Sequence, residues 1–315
     1  MFVKEKTFTS ELPEGANGVT LSLSELLHYK SQTVRWLPPA KSLWSQLNGQ
    51  HISAQKGRGM NFSEVRQYQA GDDIRSIDWR VTARTGKTHT KLFTEEREQP
   101  VMLYLDFCKS MRFGSQMMLK SVQMAHMASL ISWLAIDKKD RVGAILDSGT
   151  ELFDIKPTSR NKGPLQLFNQ LTQMHNQALT DDIGEEKPLS DGLTALHRLC
   201  PKGSDIIICS DFTRLNHTHD KIRLSRLRQH NRVSLVQFYD PLELGQTHYR
   251  GVEKVTNGQQ SLWLNFATKN NRQQLKNAFK SEQNKLTSLC NSLAIPYYSI
   301  SCAQPLVSQI TGTTK

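Results

Sequence analysis

The chain has 315 residues, 37% of them hydrophobic and 22% charged, which is enough for one large or two ordinary domains with a substantial core. Aromatic residues make up 8%, and with β-branched residues spread throughout they exclude a wholly disordered polymer. A formal net charge of +11 admits an acidic protein surface, nucleic acid or anionic lipid as partner and does not choose among them.

In chain order, Met1–Gly18 reads as a poorly ordered lead-in, and because Met1–Leu12 is charged and lacks an apolar run no secretory leader is expected. Leu21–Leu27 is predicted to be a short helix capped by Ser22 or Ser24. Trp36 and Trp44, set among Pro38, Pro39 and Gly49, mark a second helix or a loop packed on its aromatics. The run from Gly57 to Arg84 is too polar for a core. Gly57-Arg58-Gly59 in it is read as a tight turn, because it lacks the spacing of a phosphate loop. Asp72, Asp73, Arg75, Asp78, Arg80 and Arg84 are expected to form paired carboxylate–guanidinium networks that fix this loop against a sheet, with Trp79 as the buried anchor. A partner-binding surface is the other role this cluster admits, and catalytic acids are disfavoured.

From Val101 the pattern becomes regular. Apolar strands are predicted at Val101–Phe107, Arg141–Leu146, Asp205–Ser210, Arg232–Tyr239 and Pro296–Cys302, with an edge strand at Leu152–Lys156. Helical periodicity covers Gln116–Asp137, Pro164–His175, Ser190–Leu199, His219–His230 and Thr268–Leu293. Val252–Leu264, broken at Asn257-Gly258, signals a hairpin. Such alternation predicts an α/β fold with a doubly wound, mostly parallel, Rossmann-like sheet covered on both faces. The expected organisation is an appended region 1–99, an α/β domain 100–303 and a tail 304–315. Met124–Ile136 is too short to span a bilayer and reads as a buried helix, so no transmembrane segment and a cytoplasmic location are expected.

In a sheet of this kind, ligands collect at the carboxyl ends of the strands. Asp106, Cys108 and Ser110 follow the first apolar strand, Ser190 and Asp191 open a helix, and Ser210 and Asp211 end another strand. Carboxylates and hydroxyls brought together there suit a hard divalent ion such as magnesium. The same aspartates also serve as caps if they bond backbone amides at the strand ends.

The pattern Asp106-x-Cys108-x-Ser110, then Ser190, then Asp211, is similar to the metal-ion-dependent adhesion site of von Willebrand factor A domains. Thr194 competes with Ser190 for the hydroxyl position. Cys108 departs from that motif, which has serine there, and a thiol is a poor magnesium ligand. Upstream, Arg58, Phe62, Arg66-x-Tyr68, Gly71-Asp72-Asp73, Arg75-x-Ile77-Asp78-Trp79 and Arg84 resemble the signature of the domain of unknown function 58 family. Asp240-Pro241-x-Glu243 fits as well. The resemblance covers roughly residues 40–302. It implies a von Willebrand A-like domain, in the short form without amino-terminal membrane helices. It also implies a bacterial protein that accompanies a MoxR-type AAA+ ATPase and possible contact with other von Willebrand A-domain proteins.

Other chemistries find little support. The five cysteines form no C-x-x-C pair, and the ten histidines show no zinc spacing. No G-x-S-x-G elbow occurs. The helix around Met117, Met118, Met124 and Met127 reads as a core stripe. Lys221, Arg223, Arg226, Arg228 and Arg232 give a basic helical face with Ile222, Leu224 and Leu227 between them, but without the aromatic interleaving of a single-strand binder. The leading expectation is a non-enzymatic, chaperone-like adaptor working with the ATPase through the Asp106 edge, with or without magnesium. A metal-dependent phosphate-ester hydrolase using Asp106 and Asp211, and a nucleic-acid binder using the basic helix, are the alternatives.

Overall fold

Ser22 opens the first helix through a reciprocal cap. Its hydroxyl accepts from the Glu25 amide at 3.3 Å, and the Glu25 carboxylate accepts from the Ser22 amide at 2.5 Å, so two otherwise orphaned donors are satisfied. This helix, α1 (Leu23–Arg35), runs further than the sequence pattern indicated. The computed structural model describes residues 12–13, 15–35, 61–94, 99–180, 184–247, 249–256 and 261–310. Trp36, Trp44, the Gly57-Arg58-Gly59 turn and the Asn257-Gly258 break lie outside the described residues.

The chain divides into two units: Gln50–Glu98, and Met1–Gly49 together with Gln99–Lys315. In the smaller one, β1 (Asn61–Gln67) pairs antiparallel with β2 (His89–Thr94), a hairpin the polar sequence did not announce. Between its strands lie a 3-10 turn, Ile74–Ser76, and a short helix, α2 (Trp79–Thr85). Asp73 accepts from the Arg75 amide to start the turn. Asp78 accepts from the Arg80 and Val81 amides at 3.0 and 3.1 Å to start α2, and Gly86, with φ of 69°, ends it in the left-handed conformation. The expectation of a buried Trp79 is overturned. Trp79 is 68% exposed, because it is the first residue of a helix that buries none of its side chains.

The larger unit continues with β3 (Pro100–Asp106), α3 (Lys120–Asp137), β4 (Arg141–Asp147), β5 (Leu152–Thr158) and α4 (Lys162–Thr180). Then come α5 (Leu189–Leu199), β6 (Asp205–Ser210), α6 (His219–His230) and β7 (Arg232–Tyr239). The hairpin β8 (Val252–Thr256) and β9 (Ser261–Asn265) precedes α7 (Lys269–Ser292), β10 (Tyr297–Ser301) and α8 (Leu306–Ile310). Six strands form one sheet in the order β10-β7-β6-β3-β4-β5. All neighbours are parallel except β5, which runs antiparallel at the edge.

Period-two alternation along β3 explains why both faces are covered. Val101, Leu103 and Leu105 pack with α1, α3 and α4, while Met102 and Tyr104 pack with α5, α6 and α7. Leu26 and Tyr29 of α1 lie in the first of these cores, so α1 belongs with the sheet and not with an extension reaching residue 99. Leu306 is fully buried in the same core, so the described part of the expected tail is packed. Helix α3 starts at Lys120, later than its periodicity indicated, because the preceding residues form a loop in which the Leu119 amide donates to the Gly18 carbonyl. No described helix is long and apolar enough to cross a membrane.

Candidate functional site at the carboxyl edge

From β3 the chain moves to β4 on one side and later returns to β6 on the other, so the strand order reverses around β3. In open α/β sheets, ligands bind outside the carboxyl ends of the strands at such a switch point, here the ends of β3 and β6. Asp106 ends β3 and lies level with Asp147 at the end of β4. Ser210 ends β6, and Asp211 follows it. Phe212 takes a left-handed φ of 62°, uncommon for a bulky residue. Around this bend Asp211 Oδ1 accepts from both the amide and the hydroxyl of Thr213, at 3.1 and 2.8 Å.

The structure brings together most of the expected residues. Ligand atoms of Asp106, Cys108 and Asp211 lie within 4.8 Å of one another. Ser110 is 3.0 Å from the Thr213 hydroxyl and 3.1 Å from Cys108 Sγ. Ser190 makes its bonds within its own helix: its hydroxyl donates to Asp191 and its carbonyl accepts from the hydroxyl of Thr194, the competing candidate. Thr213, which the sequence reading passed over, supplies the hydroxyl partner of Ser110. Asp106 and Asp211 also accept from the Cys108 and Thr213 amides, as the capping alternative required.

Two cations were not foreseen at this edge. Arg214 Nη2 donates to Asp106 Oδ1 at 2.6 Å and to Asp147 Oδ2 at 2.7 Å, while its Nη1 donates to the Lys187 carbonyl at 2.7 Å. Lys120 Nζ, 1% exposed, donates to Asp211 Oδ2 at 2.8 Å and to Glu243 Oε1 at 2.7 Å. Four carboxylates therefore surround two cations. Around them, the Ser210 hydroxyl donates to Asp106 Oδ2 at 2.6 Å, and the buried Tyr104 hydroxyl donates to Asp147. Asp240, also fully buried, accepts from the Ser115 amide at 2.8 Å and the Leu242 amide at 2.8 Å, which ties the β7 end to the loop before α3.

Burial sets the protonation of these groups. It pushes Asp106 up to about 6 in spite of Arg214, with Asp147 and Asp211 adding to the rise. Burial also acts to raise Asp211, but Lys120 outweighs it and holds that carboxyl below its usual value. Burial drives the Cys108 thiol well above its ordinary range, helped by Asp106 and Asp211, so it is neither a thiolate nucleophile nor a soft anionic ligand at neutral pH. For magnesium, the donor set fits poorly: both oxygens of Asp106 and both of Asp211 already accept hydrogen bonds within the chain. Breaking such a pair would leave a buried charge unpaired, which is strongly destabilising.

The signature residues of the smaller unit hold that unit's own loop. Arg66 Nη2 pairs with Asp72 Oδ1 at 2.7 Å, and Asp72 Oδ2 accepts from the Gln69 amide. Tyr68 joins through its backbone amide to Thr88, Asp78 faces Lys91 at 3.5 Å, and Arg75 and Arg84 are exposed. On α6, Leu224 and Leu227 are buried as expected, whereas Ile222 is 57% exposed.

Fold and site together define an α/β protein with a buried, internally paired cluster of charges at the topological switch of a mostly parallel six-stranded sheet. The chain belongs to the family described as protein of unknown function DUF58, whose sequence profile matches residues 64–286. Uncharacterized protein Rv1480 of Mycobacterium tuberculosis is 28% identical over 166 residues, covering 53% of this chain and 51% of that protein. Uncharacterized protein Mb1516 of Mycobacterium bovis gives the same figures, so the chain spans about half the length of the curated relatives it matches. Among solved structures, the conserved hypothetical protein BatB from Bacteroides thetaiotaomicron matches with a TM-score of 0.35 and 13% identity, covering 61% of this chain and 99% of that one. An aerotolerance-related membrane protein from Bacteroides fragilis matches with a TM-score of 0.34 and 13% identity, covering 62% and 99%. Likeness at that level carries no argument about function.

Proposed function

We propose that this chain is a non-enzymatic interaction module that works with a MoxR-type AAA+ ATPase in the bacterial cytoplasm, as the family resemblance implies. The observation that carries the reading is the exposure of Trp79 at 68% and Ile74 at 65%, on a hairpin whose Arg75, Arg80 and Arg84 also face solvent. Tryptophan and arginine are the residues that most often dominate binding energy, and a large apolar side chain left in water invites a partner. The basic surround favours an acidic face on that partner. The strand-end aspartates on a mostly parallel sheet support a von Willebrand A-like reading of the larger unit.

The strand-end cluster supports the non-enzymatic part. A hydrolase needs a free base or an activated nucleophile. Here Asp106 and Asp211 are each held by a cation, and the nearby thiol is protonated. For the nucleic-acid reading, the exposed basic residues of α6 come without an exposed aromatic on that helix. The test is association of the purified full chain with the ATPase encoded beside it. Trp79→Ala should weaken binding by roughly thirtyfold, equivalent to about 2 kcal/mol, and leave unfolding stability within about 0.5 kcal/mol. Equal affinity of the variant, or no association of the wild type, would remove this reading.

A further inference from the structure

We propose that the carboxyl edge is a cation site which the chain fills with its own side chains: Arg214 and Lys120 take up the carboxylate oxygens that a divalent ion would use, so the edge is assembled without metal. The inference concerns the strand-end cluster alone and does not rest on the adaptor reading.

A hard divalent ion is held by carboxylate and hydroxyl oxygens with free lone pairs directed at it, in near-octahedral geometry for magnesium. Asp106 Oδ1 accepts from Arg214 and from the Cys108 amide, and its Oδ2 accepts from the Ser210 hydroxyl. Asp211 Oδ2 accepts from Lys120, and its Oδ1 accepts twice from Thr213. The third group of the cluster is the Cys108 thiol, a poor match for magnesium.

Arg214 is fixed in this position from several sides. Its planar fork reaches Asp106, Asp147 and the Lys187 carbonyl at once, a geometry that suits guanidinium and that a hydrated ion does not reproduce. Its side chain is 10% exposed, so an incoming ion would have to displace a nearly buried cation. Lys120 closes the other end by joining Asp211 to Glu243, which links the β6 and β7 termini through α3. The thiol at position 108 and the arginine at 214 then belong together, because a site that carries its own cation has no use for a hard oxygen ligand at the first motif position.

Thermal unfolding of the full chain in magnesium and in EDTA tests this. The wild type should melt at the same temperature in both. The double variant Arg214→Ala with Cys108→Ser, which frees Asp106 and Asp147 and restores a hydroxyl, should gain a magnesium-dependent rise. That rise should be roughly 4 °C once magnesium exceeds its Kd about a hundredfold. A double variant that folds in magnesium but not in EDTA supports the proposal equally. Cys108→Ser alone keeps Arg214 in place and should stay insensitive to magnesium. Saturable magnesium stabilisation of the wild type or of Cys108→Ser, lost in Asp211→Asn, would overturn it.

Discussion

Asp106 lies against two other carboxylates, Asp147 and Asp211, and burial pushes its pKa to about 6 although Arg214 is 2.6 Å away. A carboxyl whose folded pKa exceeds its unfolded value holds its proton more tightly when folded. Its contribution to stability is therefore full below the unfolded value of about 4 and is lost as pH rises to about 6. Asp211 has the opposite sign: Lys120 lowers its pKa against the effect of burial, so its contribution is present at neutral pH and is lost in acid. Asp106→Asn removes the first effect and also takes one carboxylate partner from Arg214, so the change of its stability with pH, not its absolute stability, carries the test. The variant should gain stability relative to wild type between pH 4 and 7, by on the order of 3 kcal/mol. Urea unfolding across that range measures it, and parallel curves for the two proteins would refute the assignment. Much of this site was legible one residue at a time. Asp106 and Asp211 stood out because each closes an apolar strand, and Asp147 carries the same mark at the end of Ile145-Leu146 without having been used. Lys120 and Arg214 gave no such sign. A lone cation beside an apolar helix reads as solvent-facing, and its partner Asp211 lies 91 residues away.

At the scale of elements, the central strands matched their predicted spans closely, because a parallel strand buried on both faces needs an unbroken apolar run. All residues of β3 and β6 are buried. The β1–β2 hairpin escaped notice for the complementary reason: its pairing is carried by a polar chain with few apolar positions. Trp79 was misplaced because a tryptophan among charges resembles an anchor, whereas here it begins a helix with no buried face. One glycine does set the packing of an element. A Cβ on Gly192 would overlap the Tyr104 ring, so this residue lets α5 pack closely over the tyrosine that donates to Asp147. Gly192→Ala should cost about 1–3 kcal/mol through overpacking. Gly184 has open space around its Cβ position, and Gly184→Ala should be neutral within about 0.5 kcal/mol. Equal stability of the two variants in denaturant titrations would contradict this account of the α5 contact.

At the scale of the molecule, the alternation of strands and helices announced the α/β sheet and its edge strand, whereas the switch point around β3 follows from the strand order of the structure. The boundary between units was less legible. Residues 50–98 form a unit of their own, while α1 joins the sheet through Leu26 and Tyr29, a long-range packing fact that no local pattern reports. The family profile spans both units, and in the larger one the charged edge of the sheet is closed by side chains of the chain itself. The central claim is that closure. A crystal structure of the full chain grown in magnesium tests it most directly. The account predicts the Arg214 guanidinium bridging Asp106 and Asp147, with no octahedral ion between the strand ends. An ion at about 2.1 Å from oxygens of Asp106, Ser110 and Asp211, with Arg214 displaced, would contradict it.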